Sequence, residues 1–377
     1  MKILLLPDSF KGSLSAQRAA DILCAAANEV LPDAEVVKLP AADGGEGTLE
    51  AVKAAVGGAY LPLPVTGPCG QSVQARYLSV GDTAVIELAQ AAGLGQRLPG
   101  FSPMRTTTYG VGQLISHALQ VGHRRIVLGL GGSATTDMGC GMAAALGTQF
   151  LNAKGQPFLP VGETLHLVKG VRLNGFFFQK NAPRIEALCD VENPLYGTNG
   201  AAYVFGPQKG ADSEMINMMD RWLKDYALLS RKYFPDVNES LSGAGAAGGL
   251  GFAFLTFLHA TLESGIKIVL EETKLRDYVQ NADIVVTGEG RLDGQTVMGK
   301  APIGVAKIAK EYGKPVIAFS GCVTKDAIAC NEHGIDAFFP VLRSVSTLDE
   351  AMCRTNAMQN IEDTAEQVFR LIRTFSH

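Results

Sequence analysis

Short apolar runs that alternate with amphipathic stretches occupy both ends of this chain, and that alternation leaves few folds open. KILLLP is followed by a helical period from Ser15 to Asn28 and then by EVVKLP, with Ser13 or Ser15 placed to cap the helix. After the loop AADGGEG, a helix is predicted from Thr48 to Val56. The last third repeats the pattern with ADIVVTG, a helix over Gly299 to Tyr312, PVIAFSG, a short helix, IDAFFPV and a long helix from Thr347 to Thr374. Apolar strands joined by helices imply a parallel, doubly wound α/β sheet with helices on both faces.

The centre is patterned differently. YLPLPVTG, VQARYLSV and TAVIEL follow one another closely and predict antiparallel or mixed pairing, and RRIVLGL and IEALCDV supply further strands. A chain of 377 residues is long for one core. Two domains are therefore expected: a discontinuous one from residues 1–64 and 262–377, and an inserted mixed α/β domain over 65–261.

A net charge of −4 gives no reason to expect nucleic acid or an anionic membrane as partner, and 47% hydrophobic with 19% charged residues excludes disorder. The seven cysteines form no CxxC pair, which argues against structural zinc or a disulfide framework and for reduced thiols in the cytoplasm. The N-terminal apolar run, Ile3 to Leu6, is too short for a signal segment. Gly243 to Leu262, broken by glycines and His259, reads as a turn and a buried helix rather than a membrane span. Neither HExxH nor GxSxG occurs.

Ligands of open α/β sheets gather beyond the carboxyl ends of the strands, so the loops there carry the search for chemistry. PDSFKGS offers Asp8, Ser9 and Lys11; Lys11 could meet a phosphate or carboxylate, or Asp8 and Ser9 could simply cap the helix. AADGGEGT places Asp43 beside two glycines, with Glu46 near a helix N-terminus. In LGLGGSATTDMGCG, Gly131, Gly132, Ser133 and Thr135 make an anion cradle, the alternative being a tight strand–helix crossing. LSGAGAAGGLGF contains GxGxxG at Gly243, Gly245 and Gly248, followed by Gly249. FPDVNES before it makes no strand, so a contact with phosphate or a neighbouring backbone is expected instead of a dinucleotide fingerprint. TGEGRLDGQTVMGKAP supplies Glu289, Arg291, Asp293, Thr296 and Lys300. Gly294 to Lys300 nearly spells a Walker A loop, but Ala301 stands where Ser or Thr should be and polar residues separate strand from glycines. Asp190 in CDVENPLYG is a candidate magnesium ligand or base and Lys209 in FGPQKG a candidate phosphate contact; either could be an ordinary turn residue.

Taken in order, PDSFKGS, AADGGEGT, GGSATTDMGCG, CDVENPL, GPQKG, GAAGGLGF and TGEGRLDGQT resemble the type-1 glycerate kinase family over nearly the whole chain. The resemblance implies a flavodoxin/Rossmann-like domain with an inserted restriction-enzyme-like α/β domain. It also implies ATP, Mg2+ and D-glycerate, with 2-phosphoglycerate favoured over 3-phosphoglycerate. In that framework the candidate catalytic residues are Asp43, Asp190, Asp293 and Lys11, with Asp190 and Asp293 also as metal ligands; which aspartate acts as base stays open. Ser9, Glu289 and Arg291 would face the substrate, Arg291 because a guanidinium suits a carboxylate. Gly131, Gly132, Ser133, Thr135, Gly248 and Gly249 would hold the nucleotide. The expected partner is a small molecule, and a homodimer is the candidate assembly. The rivals are a NAD-dependent hydroxy-acid dehydrogenase, which needs a strand-borne GxGxxG, and a non-catalytic small-anion binding protein, which would be exported.

Overall fold

The structure, a computed structural model, describes the whole chain except residues 11, 40–43, 46, 174–182, 190, 236–237, 264–274, 295, 299 and 376–377. The main chain gathers into two compact units, Met1–Asp43 with Glu50–Gly57 and Ser264–His377, and Gly44–Leu49 with Gly58–Glu263.

The first unit is built on a five-stranded sheet in the order Ala337–Pro340, Val316–Val323, Ile284–Leu292, Lys2–Pro7, Glu35–Lys38, with every neighbouring pair parallel. Side chains of Lys2–Pro7 alternate between two cores, as a period of two requires. Ile3 and Leu5 pack with Leu23 of helix Ala16–Val30 and Phe369 of helix Arg354–Phe375. Leu4 and Leu6 pack with Val279 of helix Leu275–Asn281 and Val305 of helix Ala301–Glu311. Helices thus cover both faces. Ser15, not Ser13, is the first helix's cap, its hydroxyl accepting the Arg18 N–H at 3.2 Å; the Ser13 hydroxyl donates to the Phe10 carbonyl instead. The single long C-terminal helix expected from the sequence is two. Thr347 and Glu350 form a capping box that starts Leu348–Met352, and Cys353, at φ −59 and ψ 123, interrupts before Arg354–Phe375.

One strand runs further than its sequence indicates. Ile284–Leu292 pairs with its neighbour through Arg291↔Cys322 and Leu292↔Val323, so Glu289 and Arg291 sit on a strand rather than in a loop. GEG reads as the start of a loop, but glycine here serves close approach. A Cβ at Gly288 would lie less than 3.0 Å from the Phe319 carbonyl oxygen, and one at Gly321 equally close to that of Gly290.

The second unit carries a six-stranded sheet in the order Thr261–Glu263, Arg184–Leu188, Arg125–Gly129, Thr83–Glu87, Ser72–Val80, Ala59–Thr66. The first four strands are parallel and the last two join antiparallel, the mixed pairing expected of the centre. Ala59–Thr66 pairs along its length with Ser72–Val80 and so belongs to this unit, which also takes in the earlier segment Gly44–Leu49. Apart from a left-handed turn at Ala247, Gly248 and Gly249, the segment Ala246–Phe257 is helical; it lies in the core with Phe150 and Tyr226 and is buried nearly all round, which fits its largely apolar sequence. All seven cysteines are free. No described helix is long and apolar enough to cross a membrane.

Candidate active site

In the first unit, the strand ends place charge together. Asp8 follows Lys2–Pro7, is 5% exposed, and accepts the Ser9 N–H at 2.6 Å while its own N–H donates to the Gly288 carbonyl at 2.8 Å. This fixes Ser9 beside the Ile284–Leu292 strand; Lys11 lies outside the described residues. On that strand Glu289, 7% exposed, accepts the Thr296 hydroxyl at 2.7 Å. The Lys300 ammonium stands 3.6 Å from both Glu289 and Asp293, and the Arg291 Nε 3.2 Å from Asp293. Asp293 in turn donates its backbone N–H to Thr296 Oγ1 at 3.2 Å. Glu289, Arg291, Asp293, Thr296 and Lys300 therefore come together as their spacing indicated. The Arg291 side chain is 61% exposed and so available to an anionic ligand.

The near-Walker loop stands corrected on one point. The strand runs to Leu292, so strand, loop and helix do follow in register. It still makes no phosphate cradle, because the Gly294 N–H is taken by Asp326 Oδ2 at 3.0 Å and Lys300 is held by carboxylates.

In the second unit, the loop after Arg125–Gly129 is gripped by its neighbours. Its glycines and the pair at Gly44–Gly45 cross backbone on backbone. A Cβ at Gly129 would lie less than 3.0 Å from Gly44 atoms and one at Gly131 less than 3.0 Å from Gly45 Cα, and the Gly131 N–H donates to the Gly44 carbonyl at 3.1 Å. The adjacent pair Gly44 and Gly45 of AADGGEGT is thus explained by packing; Asp43 and Glu46 lie outside the described residues, as does Asp190.

The hydroxyls of the loop turn inward. Ser133 Oγ accepts the Thr135 N–H at 3.1 Å and lies 3.0 Å from Thr135 Oγ1, and Thr136 Oγ1 donates to the Pro103 carbonyl at 2.6 Å. Gly131, Ser133 and Thr135 spend these polar groups on the protein. The N–H groups of Gly132 and Ser133, by contrast, donate to no acceptor among the described residues. Gly132 is exposed at φ 74, and Ser133 beside it is buried. Gly248 and Gly249 are buried packing residues: a Cβ on Gly248 would strike the Thr135 carbonyl and one on Gly249 would crowd Met138 and Leu195. No strand lies between Arg184–Leu188 and the GxGxxG among the described residues, so the dinucleotide context is missing.

Glu87 went unread in the sequence. Its buried carboxylate, at the carboxyl end of Thr83–Glu87, accepts the Gly47 N–H at 3.0 Å and the Leu49 N–H at 2.9 Å. It caps the helix Thr48–Val56 from a remote strand and ties down the Gly44–Leu49 segment. The only sequence signal was an acid ending a buried apolar strand. Glu87→Ala, leaving two backbone donors without their acceptor, is expected to lose about 2–3 kcal/mol in urea unfolding.

Lys209 is 2% exposed, with its ammonium bonded at 2.6 Å to the Thr135 carbonyl. Burial pushes its ammonium from the ordinary 10.5 down to about 7, the buried charge of Asp137 pulling the other way. Asp137 is itself pushed up by burial, against hydrogen bonds from Thr108, Gly141 and Gly139 that pull it down. Since the folded state holds the Lys209 proton less tightly than the unfolded chain, its contribution to stability rises from pH about 7 toward 10.5 and is lost as pH falls through about 7. Urea midpoints measured between pH 7 and 9 should therefore rise more steeply in the parent protein than in Lys209→Met.

Parallel-sheet units whose strand-end loops carry glycine, lysine and carboxylates define the α/β class that binds small ligands at the carboxyl edge of its sheets. The Glycerate kinase family model matches residues 3–373, and the chain belongs to that family. It is similar to glycerate kinase of Bacillus cereus, at 46% identity over 98% of this chain and 97% of that one. It is also similar to glycerate 2-kinase of Escherichia coli, at 45% over 93% of each. A crystal structure from Salmonella typhimurium LT2, assigned as glycerate kinase 2, superposes with TM-score 0.81 at 44% identity over 99% of this chain and 98% of that one.

Proposed function

We propose that this chain transfers the γ-phosphoryl group of ATP to the C2 hydroxyl of D-glycerate, giving 2-phosphoglycerate and ADP. Beside the family membership, the observation that carries this reading is the pair of N–H groups at Gly132 and Ser133, without a protein acceptor among the described residues, in a glycine loop at the end of a parallel strand. Such a loop suits the phosphates of a nucleotide. Arg291, exposed and on a rigid strand, is assigned to the glycerate carboxylate, with Ser9 and Glu289 beside it. The C2 oxygen attacks the γ-phosphorus, the bond to the β,γ-bridging oxygen breaks, and the hydroxyl proton passes to a carboxylate, Asp293, Asp190 or Asp43, with Lys11 neutralising charge on the phosphoryl.

Among the described residues no group of three His, Cys, Asp or Glu could cage a metal. Mg2+ on a nucleotide asks only for one or two protein carboxylates, and Asp293 is the described carboxylate that would serve, the part of Asp190 resting on the family resemblance. When bound, the ion would supply positive charge that offsets the charge on the transferring phosphoryl. A flavodoxin-like first unit and a restriction-enzyme-like second unit remain the fold names we favour. Seven free thiols are in keeping with a reducing cytoplasm.

The test is ADP release from ATP that requires D-glycerate, followed by NMR of the product. Phosphorus coupled to the C2 proton is the expected result. Coupling to C3 protons would overturn the regiochemistry, and glycerate-independent ADP release would overturn the acceptor.

A further inference from the structure

Three of the sequence segments converge on one peptide. The Thr135 carbonyl accepts the Lys209 ammonium at 2.6 Å. The backbone of Gly248 presses so closely on the same carbonyl that a Cβ there would fall well under 3.0 Å from its oxygen. The turn that delivers Gly248 is left-handed for three residues, Ala247 at φ 52, Gly248 at 70 and Gly249 at 89, and the Ala247 carbonyl also accepts the Ser133 hydroxyl at 3.4 Å. Lys209 reaches in from the turn Pro207–Lys209, which Gly210 closes at φ 80.

A lysine in this position is expensive to keep. Removing an ammonium from water is costly without a compensating charge, and an apolar side chain of similar volume fills such a space at lower cost. No carboxylate among the described residues comes within 4.0 Å of its Nζ. Its hydrogen-bond partners among the described residues are both in the glycine loop, the Thr135 carbonyl and, at 3.5 Å, Ser133 Oγ. With an exposure of 2% it is no surface contact for a phosphate. The loop is thus pinned from inside at Ser133, Thr135 and Thr136, while Gly132 faces solvent.

We propose that Lys209 is a positioning residue for phosphoryl transfer: by donating to the Thr135 carbonyl it sets the loop shape that presents the Gly132 and Ser133 N–H groups to the nucleotide. This rests on the assignment of the glycine loop to ATP. A charge-assisted hydrogen bond to one carbonyl orients the peptides before it, so its loss is felt at the two N–H groups rather than at Lys209 itself.

The experiment is steady-state kinetics of full-length Lys209→Met with ATP and D-glycerate varied separately, at a temperature where thermal unfolding shows the variant folded. The KM for ATP is expected to rise about tenfold or more, the scale of one hydrogen bond to a charged group, with the KM for glycerate nearly unchanged. Lys209→Gln, which keeps a donor, is expected to recover part of the loss. A lowered melting temperature with both KM values unchanged overturns the proposal and leaves the nucleotide assignment standing. A rise in the KM for glycerate alone overturns the nucleotide assignment itself. If Lys209→Met does not fold, Lys209→Gln decides by the same readouts, and failure of both to fold marks a purely structural lysine and counts against the proposal.

Discussion

Asp293→Asn is expected to lower kcat for glycerate-dependent ADP release by about 10²- to 10⁴-fold, the range set by losing a positioned base or a carboxylate that holds the metal. Asn keeps the size of Asp and the backbone N–H bond to Thr296 Oγ1, so the turn that follows the strand is preserved. What it removes is negative charge between two cations, Arg291 at 3.2 Å and Lys300 at 3.6 Å. Lys300 can then lean wholly on Glu289, also 3.6 Å away, so folding should be little affected. The KM for glycerate should fall or hold, because Arg291 is released from its intramolecular partner toward the substrate carboxylate. Circular dichroism and a full kinetic profile check both halves. Near-normal turnover removes Asp293 from the chemistry; an unfolded variant shows that the ion-pair cluster is structural.

How far the chain could be read depended on whether a feature is local. The parallel sheet of the first unit was legible because KILLLP, ADIVVTG and PVIAFSG are each apolar enough to be buried on both faces, and the structure buries Ile3 and Leu4 in opposite cores. The Thr48–Val56 helix falls on its predicted bounds. Charge spacing within one segment, Glu289 to Lys300, likewise became a cluster in space. Glycine was the ambiguous letter. In GEG it continued a strand, in GLG it allowed two backbones to cross, and at Gly132 it took a left-handed φ in an exposed turn, three uses that one sequence does not separate. The partners of Lys209, read from the sequence as a candidate phosphate contact, and of Glu87, not read at all, were hidden for a different reason: they lie 74 residues away in one case and 40 and 38 in the other, and no periodicity reports such pairs. Asp43, Asp190 and Lys11 lie outside the described residues, so their roles rest on the family resemblance.

The contact that ought to tolerate change least is the crossing at Gly129. Gly129→Ala is expected to cost about 3 kcal/mol, toward the upper end for overpacking, although alanine has no conformational difficulty there. The residue ends the strand Arg125–Gly129 and is held on both sides, opposite Glu87 and opposite Leu188. A new methyl group would lie less than 3.0 Å from atoms of Gly44, and those atoms are backbone rather than the movable end of a side chain. The strand cannot retreat without breaking its pairing, so Gly44–Gly45 must yield. That breaks the 3.1 Å bond from the Gly131 N–H and strains the two that Glu87 receives from Gly47 and Leu49. Gly95→Ala supplies the contrast, since a Cβ at Gly95 meets nothing within 4 Å, and it should change stability by no more than about 0.5 kcal/mol. Urea unfolding of the two variants beside the parent measures the difference. Equal stability in all three would mean that the two glycine segments do not cross at the distance described, and the peptides at Gly132 and Ser133 would lose that support.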